Sequence, residues 1–332
     1  MNEQGLRLGQ TPWQMARHSA RVAAARDFIL NAAASIDDPL LRAHVCAMLL
    51  AAGGSDSRLE AAVQGQEAAS GILLLSSLTA VTEQTAAQKV SLAKLAAEMP
   101  YDPTWAAPGA ALSSHHCYPG GWALHTALNL QAACHLMEQA ERIKGVECNR
   151  DAVMAGIILH DWAKLKLLVW NADHDLDADQ GGGHHVIMLA ECMLRQLAPS
   201  VIRLAAGVHG GWWLQPEGVR GSIEKAAQWV NVDVVTEVYP DFDGDDLSVE
   251  SWIVRQAELC WYAVTRQSVQ MLEDYLVNWH AQAGIPCEYA PWRHALYAAF
   301  DELQLVHDLS HGNAERLELR LKQWTKKMVD FC

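Results

Sequence analysis

Residues 151–170, DAVMAGIILHDWAKLKLLVW, decide how the chain is read. The run is apolar enough for a buried helix, and it opens on Asp151, a side chain able to cap one. His160 and Asp161 stand side by side late in it. Two polar side chains in an apolar helix are costly unless they pair with a neighbour or hold a metal ion. The stretch therefore predicts a packed helix over 151–170 with chemistry near one end.

Helix signals continue on both sides. SARVAAARDFILNAAASI (19–36) and LRAHVCAMLLAA (41–52) repeat apolar residues at helical spacing with alanine between them. EMPYDPTWAAPGA (98–110), with three prolines and a glycine, breaks the pattern and marks a boundary. Beyond it, 120–143, 184–198, 200–210, 222–240, 248–282 and 291–330 read as helices. The polar stretch 171–183 reads as a loop, since Asp, Asn and Gly at that density do not sustain a helix. The predicted fold class is all-α: a helical N-terminal region (1–100), a metal-binding core (101–245) and a C-terminal helical region (246–332). No internal repeat is evident.

Composition narrows the function. The chain has 332 residues, 51% hydrophobic and 19% charged, with a formal net charge of -14. That balance excludes a protein that coats duplex nucleic acid, but not a pocket for one phosphate or a short single strand. MNEQGLRLGQ lacks the basic segment and apolar run of a leader, and GILLLSSLTAV (71–81) falls well short of the ~20 residues of a membrane span. A cytoplasmic protein is expected. Eight cysteines without a CxxC pair read as small buried or half-buried thiols. The acidic stretches 171–181 and 241–246 lack the glycine and glutamate positions of a calcium loop and read as solvated loops.

The middle region supplies partners for the His160–Asp161 pair. His125 lies in the preceding helix, His185 or its neighbour His184 starts the following one, His209 ends the next, and Asp233 interrupts the apolar WVNVDVVTEV. From His125 to His160 is 35 residues; Asp161 to His185, His185 to His209 and His209 to Asp233 are 24 each. Each interval is about one helix and one turn, so successive antiparallel helices bring one ligand apiece to one level of a bundle. Alone, each histidine reads as an ordinary core or surface residue; together at these spacings they read as ligands. Imidazole and carboxylate suit Zn, Mn, Fe, Ni or Mg. His125, His160, Asp161 and Asp233 make one site, and His185 with His209 extends it to two metals, about 3.5–4 Å apart in typical dinuclear hydrolases.

HHCYPGGWALHT (115–126) followed by IILHDWAKL (157–165) resembles the HD superfamily of metal-dependent phosphohydrolases, and most narrowly the HD-domain 3′→5′ exoribonucleases and the HD modules of relaxases. The resemblance covers about 125 residues, from Ser114 to Val238. It implies an HD-type helical bundle with additional N- and C-terminal helices. It also implies His125, His160, Asp161 and Asp233 as core metal ligands, His185 and His209 as the extra dinuclear pair, and Asp161 and Lys164 as catalytic groups. His185 is preferred to His184 because Glu191 then follows at the spacing of relatives. Ala163 replaces the usual glycine after Trp162, and VHGGWW (208–213) replaces a His-His pair of many relatives.

The activity so implied is hydrolysis of a small phosphate ester, a nucleotide or a short single-stranded oligonucleotide, by a hydroxide generated on one or two divalent metal ions. Lys164 neutralises phosphate charge. His115 and His116 form a rim that contacts substrate, with His184 beside them, and Trp212 lines a pocket that stacks a base. Each of these also has a plain structural reading, as a loop histidine bonded to backbone or an indole in a core. Two alternatives share the scaffold: a mixed-valent di-iron oxygenase of the HD fold, and an HD module without catalysis. The flanking helices either cover the bundle or form a homo-oligomer interface.

Overall fold

The protein is described from a computed structural model, covering residues 6–52, 57–64, 104–110, 115–171, 173–178, 183–209, 216–232, 248–259, 266–310 and 314–329. The fold is all-α; among the described residues the exception is a two-stranded hairpin. Helices α1 (Pro12–His18), α2 (Ala20–Ala34), α3 (Pro39–Ala51) and α4 (Ser57–Val63) form the N-terminal layer. A 24-residue helix α5 (Gly121–Lys144) runs through the middle, packed against α2 on one side. Helix α6 (Arg150–Leu159) lies against α5 and is followed by a short turn of helix α7 (Lys164–Leu167), strands β1 (Leu168–Trp170) and β2 (Leu176–Ala178), and helices α8 (His184–Leu194), α9 (Pro199–Gly207) and α10 (Pro216–Val230). Helix α11 (Val249–Leu259) returns to pack on α5, and α12 (Arg266–Ala283), α13 (Tyr289–Ala299), α14 (Glu302–Ser310) and α15 (Ala314–Val329) complete the order.

Local chemistry sets the starts of these helices. Thr11 and Gln14 form a reciprocal capping box ahead of Pro12, and the Asp38 carboxylate accepts from the amides of Leu40 and Leu41 at 2.8 and 3.0 Å. Asp151 does not cap α6. Asn149 does, accepting from Ala152 N at 3.0 Å, while the Asp151 carboxylate reaches across to the amides of Asp37 and Asp38. It thereby ties the entry of α3 to the start of α6.

The helix expected over 151–170 ends at Leu159. Short-range bonds from Trp162 N to Leu159 O and from Lys164 N to Asp161 O tighten the chain into a turn. That turn brings both His160 and Asp161 inward, where a continuous helix would have fanned them apart by about 100°. Trp162 is 2% exposed and donates its indole N–H to Met48 O at 2.7 Å. The bulky side chain closes the end of α3 against the turn. Truncating a buried indole of this kind costs about 3–5 kcal/mol.

Residues 168–178, expected as a helix end and a loop, form the hairpin. Leu168 pairs with Ala178 and Trp170 with Leu176, and the Asn171 side chain accepts from the amides of Asp173 and Asp175. The carboxamide closes the turn, the usual work of an Asx residue. The 291–330 run is likewise divided, with α13 ending at Ala299 before the extended Phe300. The boundaries expected at 100/101 and 245/246, and the acidic stretch 241–246, lie outside the described residues. Among the described residues no helix is long and apolar enough to cross a membrane. Cys46, Cys117 and Cys192 are buried thiols, as the scattered spacing led one to expect.

Candidate metal centre

The turn before α5 is tight. Gly120 has φ +84, and a Cβ on Gly121 would sit 1.9 Å from the carbonyl oxygen of His116. Two glycines are therefore required for 115–121 to fold back onto 104–110, where Gly109 N donates to His116 O at 2.8 Å. The close return places His125, on the second turn of α5, in the interior with no exposed surface.

His160 and Asp161 meet it there, equally buried. His125 Nε2 lies 3.4 Å from His160 Nε2 and 3.3 Å from Asp161 Oδ2, and His160 Nε2 lies 3.4 Å from the same oxygen. His160 Nδ1 faces the carbonyl of Ile157, which fixes its ring and turns Nε2 to the cluster. The other oxygen of Asp161 faces a second group: His184 Nε2 and His209 Nε2 are each 3.1 Å from Oδ1. One carboxylate thus stands between two sets of imidazoles. His184 Nε2 is buried and has no well-directed hydrogen bond among the described residues, although Asp161 is so near.

Glu258, on α11, completes the cluster, and the sequence reading missed it. Its Oε2 is 3.4 Å from His125 Nε2 and 3.8 Å from His160 Nε2; its Oε1 is 3.3 Å from His209 Nδ1. Asn129, one turn after His125, donates to Oε2 and holds the carboxylate in place. A signal was present. Val254, Ala257 and Glu258 share one buried face of an amphipathic helix, and a glutamate on such a face requires partners. His125, His160 and Glu258 form one group able to surround a cation, and Asp161, His184, His185 and His209 a second. His115, His116 and His125 form a third, sharing His125 with the first.

The charges balance within the cluster. Burial alone would raise the Asp161 carboxyl, but Lys164, His160 and His209 outweigh it and hold the group well below the usual carboxylate range. Glu258 is likewise held low, with His125 and His209 overcoming its burial. Burial depresses His209, yet Glu258 and Asp161 lift it to about 9, so without a metal it carries a proton between them that a bound cation would displace. His184 is lowered to about 4 by burial and by Lys164, which leaves a neutral imidazole. Neutral imidazole is the form that binds a metal.

The Lys164 ammonium, the group expected to meet a phosphate oxygen, lies 2.6 Å from Asp161 Oδ2 and donates to Gly109 O at 2.8 Å, so it anchors the shared carboxylate to the glycine turn. Glu191, the spacing argument for His185, pairs with Arg195 at 2.7 Å in the core and takes no part in the cluster. His184 and His185 both reach the second group, with ring centroids 3.8 Å apart. Trp212 and Asp233 lie outside the described residues.

His115 and His116 border the cluster, their ring centroids 5.1 and 5.4 Å from that of His125. The C-terminal helices hold this rim. His116 N donates to both oxygens of Glu302 at 3.1 Å, and Arg293, braced by Glu273, donates to Cys117 O at 2.6 Å. Tyr118 stacks on Tyr297 with centroids 5.1 Å apart. His116 has φ +54, a strained setting for a side chain with a Cβ, and these contacts offset it. Burial, then His125 and Lys164, push the His115 imidazole down to about 2, leaving it neutral.

Among curated proteins, the chain is similar to a dihydroneopterin 2',3'-cyclic phosphate phosphodiesterase of Methanocaldococcus jannaschii, with 32% identity over 103 residues. The match covers 30% of this chain and 41% of that protein, so it spans less than half of the relative's length. No family model matches the chain. No solved structure gives a significant match.

Proposed function

We propose that this chain is a metal-dependent phosphohydrolase of the HD type that cleaves a phosphodiester or phosphomonoester of a nucleotide or other small phosphate ester. The observation that carries this reading is the Asp161 carboxylate, with Oδ2 among His125 and His160 and Oδ1 between His184 and His209. A carboxylate so shared suits two divalent cations side by side. The donor set, imidazoles with two carboxylates, fits Zn, Mn or Fe.

His125, His160, Glu258 and Asp161 would hold one cation, and Asp161, His184 and His209, with His185 adjacent, the other. In this reading Glu258, rather than Asp233, is offered as the second carboxylate donor. Such residues would hold cations whose chemistry, when bound, would be to lower the pKa of a water towards neutrality and offset the charge of phosphate oxygens. Lys164 keeps Asp161 ionised and fixed, and His115 and His116 present neutral imidazoles at the rim as hydrogen-bonding groups for the substrate. The similarity to a 2',3'-cyclic phosphate phosphodiesterase favours a cyclic phosphodiester among the substrates.

The test is metal analysis of purified protein alongside hydrolysis of bis-p-nitrophenyl phosphate and of 2',3'-cyclic nucleotides. Asp161→Ala is expected to lose both metal and activity. Retention of both by this variant refutes the shared-carboxylate site. Two irons with O₂ uptake and no hydrolysis refutes the phosphohydrolase reading.

A further inference from the structure

A cavity lies between α1, α2 and the start of the 104–110 segment. It measures about 460 Å³ and is lined by Trp13, Gln14 and Arg17 of α1, Val22, Ala23 and Arg26 of α2, and by Trp105 and Ala106. Small-molecule sites commonly start at ~300 Å³, so its size suits a ligand rather than a few waters. The metal centre lies elsewhere. Trp105 packs against Trp122 with ring centroids 6.0 Å apart, and Trp122 in turn donates to the backbone carbonyl of Asp161, so two indoles separate this cavity from the cluster.

Its lining has a definite chemistry. Two indoles offer flat apolar faces, and two guanidinium groups stand beside them in a chain whose net charge is -14. Arg26 lies over the Trp105 ring, 5.5 Å from its centroid, which keeps the cation at the aromatic wall. Trp105 is 6% exposed, and its indole N–H has no hydrogen-bond partner among the described residues. Buried indole donors are normally satisfied, so an unmatched one lining a cavity calls for an acceptor from a ligand. Trp13 and Arg17 are four residues apart on α1 and so share one helix face.

We infer that this cavity is a second ligand site, distinct from the metal cluster, for a planar aromatic anion of the nucleoside monophosphate class. The base lies against the indoles and accepts from Trp105 Nε1, and the phosphate meets Arg17 and Arg26. Such a pairing of stacking and guanidinium contacts recognises both parts of a nucleotide and neither part alone as well.

The experiment is calorimetric titration of AMP into the full chain after metal removal with a chelator, with adenosine and inorganic phosphate in parallel. AMP is expected to bind at least tenfold more tightly than either fragment, and Arg17→Ala and Trp13→Ala are each expected to weaken it tenfold or more. Arg17 is exposed, so its replacement leaves folding intact; thermal melting checks Trp13→Ala. Asp161→Ala is expected to leave AMP binding unchanged. Absence of heat, or unchanged affinity in both cavity variants, overturns the inference. Loss of AMP binding in Asp161→Ala alone assigns it to the metal centre, which also overturns the inference while leaving the proposed phosphohydrolase standing.

Discussion

Glu258→Gln separates the tertiary reading of the site from the spacing argument. The substitution keeps the shape and the Asn129 contact on one side while removing the charge that faces His125 at 3.4 Å, His160 at 3.8 Å and His209 at 3.3 Å. Without metal, the change breaks one arm of a buried charge cluster. Removing one member of a buried ion pair costs roughly 3–5 kcal/mol, and Asp161, still 3.1 Å from His209, brings the expected loss to the lower end of that range. With metal, one carboxylate donor is gone. Residues that only orient metal ligands already change affinity 10–100-fold, so removing the charge of a direct ligand is expected to weaken binding by about 100-fold or more. The assay is a competitive Zn²⁺ or Mn²⁺ titration against a chromophoric chelator, paired with denaturant unfolding of the metal-free variant to confirm a folded chain. Asp233→Asn, treated identically, is expected to change affinity by less than about tenfold. The reverse outcome, with Asp233→Asn abolishing binding and Glu258→Gln sparing it, would refute the assignment of Glu258.

Other outcomes follow from the same geometry. Prolonged dialysis against a chelator is expected to abolish phosphodiester hydrolysis, and Mn²⁺ or Zn²⁺ to restore it; activity that survives complete metal removal excludes the mechanism. Gly121→Ala is expected to lower the melting temperature and metal content together, because its Cβ would overlap His116 O, whereas Gly145→Ala, with open space around its Cβ, is expected to show only backbone strain in stability and no change in metal content. Burial pushes the Glu302 carboxyl up to about 8, against an ordinary value of 4.5, with the His116 amide and Arg293 offsetting part of the rise. The folded chain therefore holds a proton that the unfolded chain releases. The associated stability is complete below about pH 4.5 and is lost as pH rises through about 8. Glu302→Gln is expected to flatten the fall in melting temperature between pH 5 and 8, and an unchanged slope would count against this origin.

The all-α class and most helix positions were legible because a 3.6-residue apolar period and capping residues are local properties. That His125, His160, Asp161 and His209 come together was legible for a related reason. Polar groups inside apolar helices are conspicuous, and near-equal helix lengths translate into near-equal intervals. The hairpin at 168–178 was not legible, because its pairing depends on Asn171 closing a turn that equally suits a loop. Nor was the turn at His160, which rests on short-range bonds and on Trp162 docking at Met48.

Sequence by itself determined which residue types were present for metal chemistry and that helices would carry them. Only the tertiary structure decided which of them meet. Glu258 lies 97 residues beyond Asp161 and reaches the cluster because α11 packs back on α5, a contact set by the burial of whole helix faces. Lys164 and Asp161 are three residues apart, and the packing of 104–110 decides that the ammonium bridges the shared carboxylate and Gly109 O. Local periodicity fixes where a side chain leaves its helix; the packing of distant helices fixes what it finds there.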